Sequence, residues 1–314
     1  MTQDIATRYL RFAEIEARGR SPVYEALARH VAGSETALSF LAILPKPRQQ
    51  PNLFFAAMRN VTGRVVTANQ CDAVLNAHCD DIAYVMRTRT TQTNEPGRCA
   101  ALMPALAQID GPIALIEVGA SAGLCLLPDH YGYDWGRQVL PGTPVFPCAA
   151  SPDTPLPSEH PDIVWRAGLD LNPLDVADHD DMAWLQTLVW PEDTDRLSRL
   201  RAAIAVARTA NPRVVQGDLT CDLAPLMDEA PKDATLVVFH TAVLSYIPDQ
   251  TLRDAFAAQM LASRAIWLAN EGPRIFPQFT HTQDVTGETR FRLTRNGQTV
   301  AWTGPHGQSV DWVA

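Results

Sequence analysis

The chain has 314 residues, 46% of them hydrophobic and 19% charged, and carries a formal charge of −9. This length suits one large domain or a core domain with an appendage, and the balance leaves no room for extensive disorder. With no lysine- or arginine-rich block, the surface is not expected to bind nucleic-acid phosphates or an anionic membrane.

The N-terminus, MTQDIATRYLRFAEIEARGR, is an amphipathic helix pattern without the apolar stretch of a signal peptide. No apolar run reaches the roughly 18 to 20 residues that span a bilayer. Ile5, Tyr9, Phe12 and Ile15 recur at helical spacing, and Tyr24, Leu27, Ala28 and Val31 do so after Pro22. Three prolines in ILPKPRQQPN interrupt the pattern before LFFAAMR resumes it. Residues 1–109 therefore read as a helical N-terminal subdomain. The six cysteines are scattered, with no C-x-x-C pair, so no metal site is expected and a reducing, cytoplasmic setting is the natural assignment.

From residue 110 the pattern changes. Ile113–Val118 is a short, nearly continuous apolar run bounded by glycines, the mark of a buried parallel strand, and the residues after Gly123 suit a helix start. Further strands are expected to end near Asp170, Asp218, Phe239 and Glu271, with helices at Arg196–Arg208 and Leu252–Leu261 between them. Strands alternating with helices give an α/β domain with a mostly parallel sheet over residues 110–314. Seven prolines crowd residues 141–161, which read as a long surface loop without ladder hydrogen bonds. In the tail, Asn296-Gly297 divides alternating segments and predicts an antiparallel hairpin.

The turn after the first strand, EVGASAG (117–123), carries the chemistry. A dinucleotide site wants G-x-G-x-x-G, and Ser121 and Leu124 stand where its second and third glycines belong. A phosphate-binding loop needs Gly-Lys-Ser or Gly-Lys-Thr, and no lysine is near. A carboxylate at Glu117 repels a pyrophosphate and suits a cationic ligand.

An acidic residue followed by spaced glycines resembles the first motif of class I S-adenosylmethionine-dependent methyltransferases, with Glu117, Gly119 and Gly123 in place and Ser121 for the middle glycine. That resemblance implies a Rossmann-like fold with a C-terminal antiparallel hairpin, and S-adenosylmethionine as cofactor. It implies Asp170 as the ribose-binding carboxylate, although Asp170 lies 47 residues beyond Gly123 rather than the usual roughly 20. Asp218 corresponds to the residue near adenine, and His240 and Tyr246, in VVFHTAVLSYI, to residues facing the methyl group. Taken together, EVGASAGLCLLPDHYGYDW, RAGLDLNPLDV, WLQTLVWPE and VVFHTAVLSYI resemble an uncharacterised bacterial family with a methyltransferase-like fold. The function implied is methyl transfer to a small-molecule acceptor that the sequence does not identify.

Two other readings stay open. G-x-S-x-G around Ser121 is also the frame of a nucleophile elbow, and Asp218 followed by His240 would complete a serine hydrolase in chain order. However, the preceding hundred residues look helical and contain no oxyanion motif. The other alternative is a methyltransferase-like domain that serves only as a ligand-binding or interaction scaffold. Neither oligomeric state nor acceptor is legible.

Overall fold

The computed structural model describes residues 2–279 and 290–313. Helices α1 (Thr2–Arg11), α2 (Pro22–Gly33), α3 (Glu35–Ala42), α4 (Pro51–Thr62) and α5 (Cys71–Thr88) come first, followed by α6 (Arg98–Leu106). After them run β1 (Ile113–Val118), β2 (Gly132–Asp134), β3 (Val139–Leu140), β4 (Val145–Pro147), β5 (Ala149–Ala150) and β6 (Ile163–Asp170). Then follow α7 (His179–Thr187), α8 (Thr194–Ala210), β7 (Val214–Gln216), α9 (Leu223–Asp228), β8 (Thr235–Thr241), α10 (Gln250–Ala262) and β9 (Ile266–Glu271). The chain closes with β10 (Phe291–Arg295), β11 (Gln298–Thr303) and β12 (Ser309–Trp312).

Two compact units form, Met1–Thr93 with His179–Ser198, and Asn94–Asp178 with Arg199–Ala314. The division differs from the expected boundary at residue 109. α6, buried along its whole length, belongs to the sheet unit, and residues 179–198 belong to the helical one.

The helical unit follows from its apolar spacing. Tyr9, Phe12, Tyr24, Phe54 and Phe55 form one aromatic cluster with centroids 5.0 to 6.4 Å apart, joined by Trp190. Such pairs add stability beyond the area they bury. Trp184 completes this core while its indole N–H donates to the Thr90 carbonyl at 2.9 Å. The late segment is thus built into the early core, which sequence order hides.

In the sheet unit, nine strands run in the order β5-β12-β11-β10-β9-β8-β1-β6-β7. The stretch β9-β8-β1-β6-β7 is parallel throughout, whereas β10, β11 and β12 are antiparallel to their inner neighbours. Asn296 and Gly297 both take positive φ at the β10–β11 turn, as the hairpin signal requires. β6 and β7 extend from one side of β1, β8 and β9 from the other. β1 and β8 therefore flank a topological switch point, where open α/β sheets bind ligands beyond the carboxyl ends of their strands. One face is packed by Ala114, Ile116, Val118, Val238 and Trp267 against α9 and α10.

Two local expectations are overturned. Only a single 3₁₀ turn, Leu124–Leu126, follows Gly123, because Pro128 cuts off any continuation. The crossover from β1 to β6 instead contains the small sheet β3-β2-β4 and then β5. The proline-rich segment also does make ladder bonds. Cys148 N–H donates to Asp134 O at 2.8 Å and Ala149 N–H to Gln308 O at 2.9 Å. Its prolines supply only carbonyls, such as Pro144 O accepting from Gly132 N–H, and its strands sit at sheet edges that tolerate this.

Candidate functional site

The glycine turn leaves β1 at the switch point. Gly119, Ser121 and Gly123 all have positive φ (73°, 54° and 72°), so the chain coils tightly there. Ser121 is not free to offer its backbone to a ligand. Its N–H donates to Asp170 Oδ2 at 2.8 Å and its carbonyl accepts from Leu174 N–H at 3.1 Å. The Ser121 hydroxyl is buried without a partner. The glycines make room for the protein's own side chains. A Cβ on Gly119 would collide with the methyls of Val243, and one on Gly123 would lie 3.0 Å from Val214 and 3.1 Å from Pro212.

Asp170 lies where expected, one residue beyond the Val118–Leu169 register pair and partly exposed. Besides Ser121 it accepts from Asn172 N–H at 2.8 Å, so it braces the turn as well as facing the carboxyl edge. Asp218 follows β7 and accepts from both the hydroxyl and the N–H of Thr220, which holds its carboxyl below the usual carboxylate range.

Glu117 is buried on the sheet face opposite Ile116 and Val118, and its Oε2 has no partner. Burial pushes its carboxyl well above the usual range, the Cys125 thiol and the Asp170 carboxylate push the same way, and Arg98 opposes them. Cys125 is itself raised, first by its hydrogen bond with Cys99 and then by burial.

His240 is not a pocket residue. It is fully buried among Phe256, Trp267 and Phe276, and both ring nitrogens are taken. Trp267 Nε1–H can only donate, and it reaches His240 Nε2 at 3.0 Å. The proton therefore sits on Nδ1, donated to Glu271 Oε1 at 2.7 Å. The apolar run that makes β8 a central strand is what draws its histidine inside. Tyr246 goes the other way, 69% exposed on the turn after β8. No triad assembles, because β6 and β1 separate β7, which leads to Asp218, from β8, which carries His240.

Sequence reasoning missed the segment Asn94–Arg98, read only as part of a helical region. All five residues are buried. Asn94 Oδ1 accepts from Leu124 N–H at 2.8 Å, directly after the glycine turn, and Glu95 O accepts from the Cys125 thiol at 3.3 Å. Arg98 donates to the carbonyl and hydroxyl of Thr241 at 3.0 and 3.2 Å, and to Pro305 O at 2.9 Å. This segment buttresses the ends of β1 and β8 together. The available signal was three hydrogen-bonding side chains around Pro-Gly, immediately before an apolar helix. Glu271 was likewise noted only as a strand end.

Among the described residues no helix is long and apolar enough to cross a membrane. One mixed group in the helical unit, His30, Cys71 and Asp72, brings donor atoms within 4.8 Å of one another. Hydrogen bonds from His30 (3.2 Å) and Ser34 (2.7 Å) to Asp72 account for its arrangement, and burial pushes the Cys71 thiol up to about 12.

A family model described as an uncharacterized protein conserved in bacteria, DUF2332, matches residues 6–312. The chain belongs to this family. No curated protein and no solved structure matches it. Membership in DUF2332 thus extends across both units and brings no reaction with it.

Proposed function

We propose that this DUF2332 chain binds S-adenosylmethionine at the carboxyl edge of its parallel sheet and transfers the methyl group to a small molecule, on a Rossmann-like, methyltransferase-type scaffold. The observation that carries this reading is the buried, unpartnered Oε2 of Glu117, one residue short of the turn at the switch point. A dry carboxyl with an open acceptor suits a cationic group, since a buried acceptor without a donor costs about 1–3 kcal/mol. Glu117 would hold the cofactor's ammonium and Asp170 its ribose hydroxyls, with Gly119 and Ser121 shaping the turn between them. Asp218 stands farther along the same edge for the adenine. A pyrophosphate is poorly served, because no helix N-terminus follows the turn.

When bound, the cofactor supplies an electrophilic methyl. The chain's contribution is to orient the acceptor and exclude water, with Tyr246 on the acceptor side. His240 is withdrawn from proton transfer, because both of its nitrogens are engaged. The nucleophile reading of Ser121 has no base beside the hydroxyl to support it.

Because burial favours the neutral form of Glu117, binding an ammonium there converts it to carboxylate and releases a proton. Calorimetric titration with S-adenosylhomocysteine at pH 6.5, in buffers of different ionisation enthalpy, should therefore give buffer-dependent heats. Glu117→Gln should remove that dependence and weaken binding about tenfold or more, while Asp170→Ala should weaken binding with proton release intact. Flat titrations to millimolar ligand would refute the proposal.

A further inference from the structure

We propose that Ala242–Tyr246 is a strap closed over the glycine turn, with Glu271 as its latch, and that a ligand reaches Gly119 only when the strap lifts. Three features of the sheet unit meet at this point.

The first is strain. β8 ends at Thr241 and the chain turns at Ala242 with φ 56°, a left-handed conformation that side-chain-bearing residues resist. A glycine would adopt it freely, and none is there. The second is occupancy. Val243 places its methyls in the volume beside Gly119 where a Cβ would otherwise go. A glycine at a switch point usually keeps backbone open to a ligand, but here the protein's own valine fills the space. The third is the fastening. Glu271 Oε1 accepts from Val243 N–H at 2.9 Å and Leu244 N–H at 3.2 Å, in addition to His240 Nδ1–H at 2.7 Å. Its second oxygen, Oε2, is buried without a partner, so the latch holds the strap with one oxygen while leaving the other unsatisfied.

The Leu244 side chain is buried in the core, and beyond it Ile247 packs against the same core. Tyr246 N–H and Ile247 N–H donate only to Val243 O and Leu244 O within the same turn, and the Tyr246 ring stands in solvent. The segment therefore has one strained residue, Ala242, one side chain, Val243, plugged beside the glycine turn, and one apolar anchor, Leu244, that must leave the core when the strap lifts. Opening releases the Ala242 strain, which offsets part of the lost hydrogen bonds. Neighbouring β1 is hydrogen-bonded on both sides and has no such alternative.

This inference rests on the proposed cofactor only for the ligand's identity, and its test separates the two. Amide hydrogen exchange of the full chain, read by NMR, should show Leu244 exchanging through local opening, far faster than Ile116 in β1. Val243→Ala should speed Leu244 exchange about tenfold and leave Ile116 unchanged. Ala242→Gly, which removes the strain of the closed form, should slow Leu244 exchange about threefold. S-adenosylhomocysteine should associate faster with Val243→Ala and more slowly with Ala242→Gly, because only the open fraction is competent. Leu244 exchanging as slowly as Ile116, or exchange indifferent to both substitutions, overturns the strap. Exchange behaving as expected while the ligand binds no variant supports the strap and overturns the cofactor reading.

Discussion

Glu117 and Glu271 occupy similar positions and do different work. Each lies at the carboxyl end of a parallel strand, β1 or β9, and each is only 2–3% exposed. The register puts them on opposite faces of the sheet, Glu117 beside Phe239 and Glu271 beyond the Ala269–His240 pair. Three donors converge on one oxygen of Glu271. Around Glu117 are the Cys125 thiol, the Asp170 carboxylate and one arginine, Arg98, that is spent on Thr241 and Pro305. Both have one buried oxygen without a partner, but only Glu271 has its other oxygen fastened by three donors; Glu117 is the one the proposed cofactor is assigned to. Burial alone does not separate the two; the donor inventory does.

The comparison breaks most visibly at Glu271. Glu271→Ala leaves the His240 ring N–H and the Val243 and Leu244 amides without their acceptor. The expected loss is about 3–5 kcal/mol in urea denaturation, and a loss below about 1 would mean the strap is not fastened there. His240→Ala should follow at about 2–4 kcal/mol, since it empties a packed aromatic site and strands both Trp267 Nε1–H and Glu271. A histidine kept for chemistry would give a stable variant.

Glu117→Gln should act in the opposite direction. A carboxyl raised by folding stabilises fully below its unfolded pKa, and that contribution is lost as pH rises through the folded value. The variant should melt a few degrees higher than the parent at pH 8, and the two should converge toward pH 4. A parent whose stability is flat between those limits would remove the claim that Glu117 is neutral when the site is empty. The smallest effect belongs to Thr220→Ala, which frees Asp218 from the bonds that lower it. That stability is present above the unfolded pKa and lost as pH falls through the folded one. At so exposed a site the change should stay within about 0.5 kcal/mol at pH 7.

What the sequence revealed depended on the range of the interaction. β1 and the ends of β6 and β9 were legible because strand burial and bounding glycines are local. The Asn296-Gly297 turn was legible for the same reason. Glu117 was singled out by its place two residues before the glycine turn and Asp170 only through the family resemblance, since it lies 47 residues beyond Gly123; the structure places them on adjacent strands. His240 was misplaced because a polar residue at a strand's end looks the same whether it faces a cleft or a Trp–Glu pair contributed by another strand. Asn94–Arg98 escaped because its partners, Leu124, Thr241 and Pro305, lie from 30 to 207 residues away. The same holds for residues 179–198, whose tryptophans complete a core begun at Ile5.

β5 is only two residues long, yet it seals the far edge of the nine-stranded sheet by pairing with β12, about 160 residues later. During synthesis on the ribosome, the seal cannot form until Ser309–Trp312 has emerged. Until then Ala149–Ala150, in the proline-rich segment, has no strand to pair with. Until β12 arrives the growing edge of the sheet is open to edge-to-edge association, and afterwards it is closed by a strand too short and too rich in neighbouring prolines to recruit another.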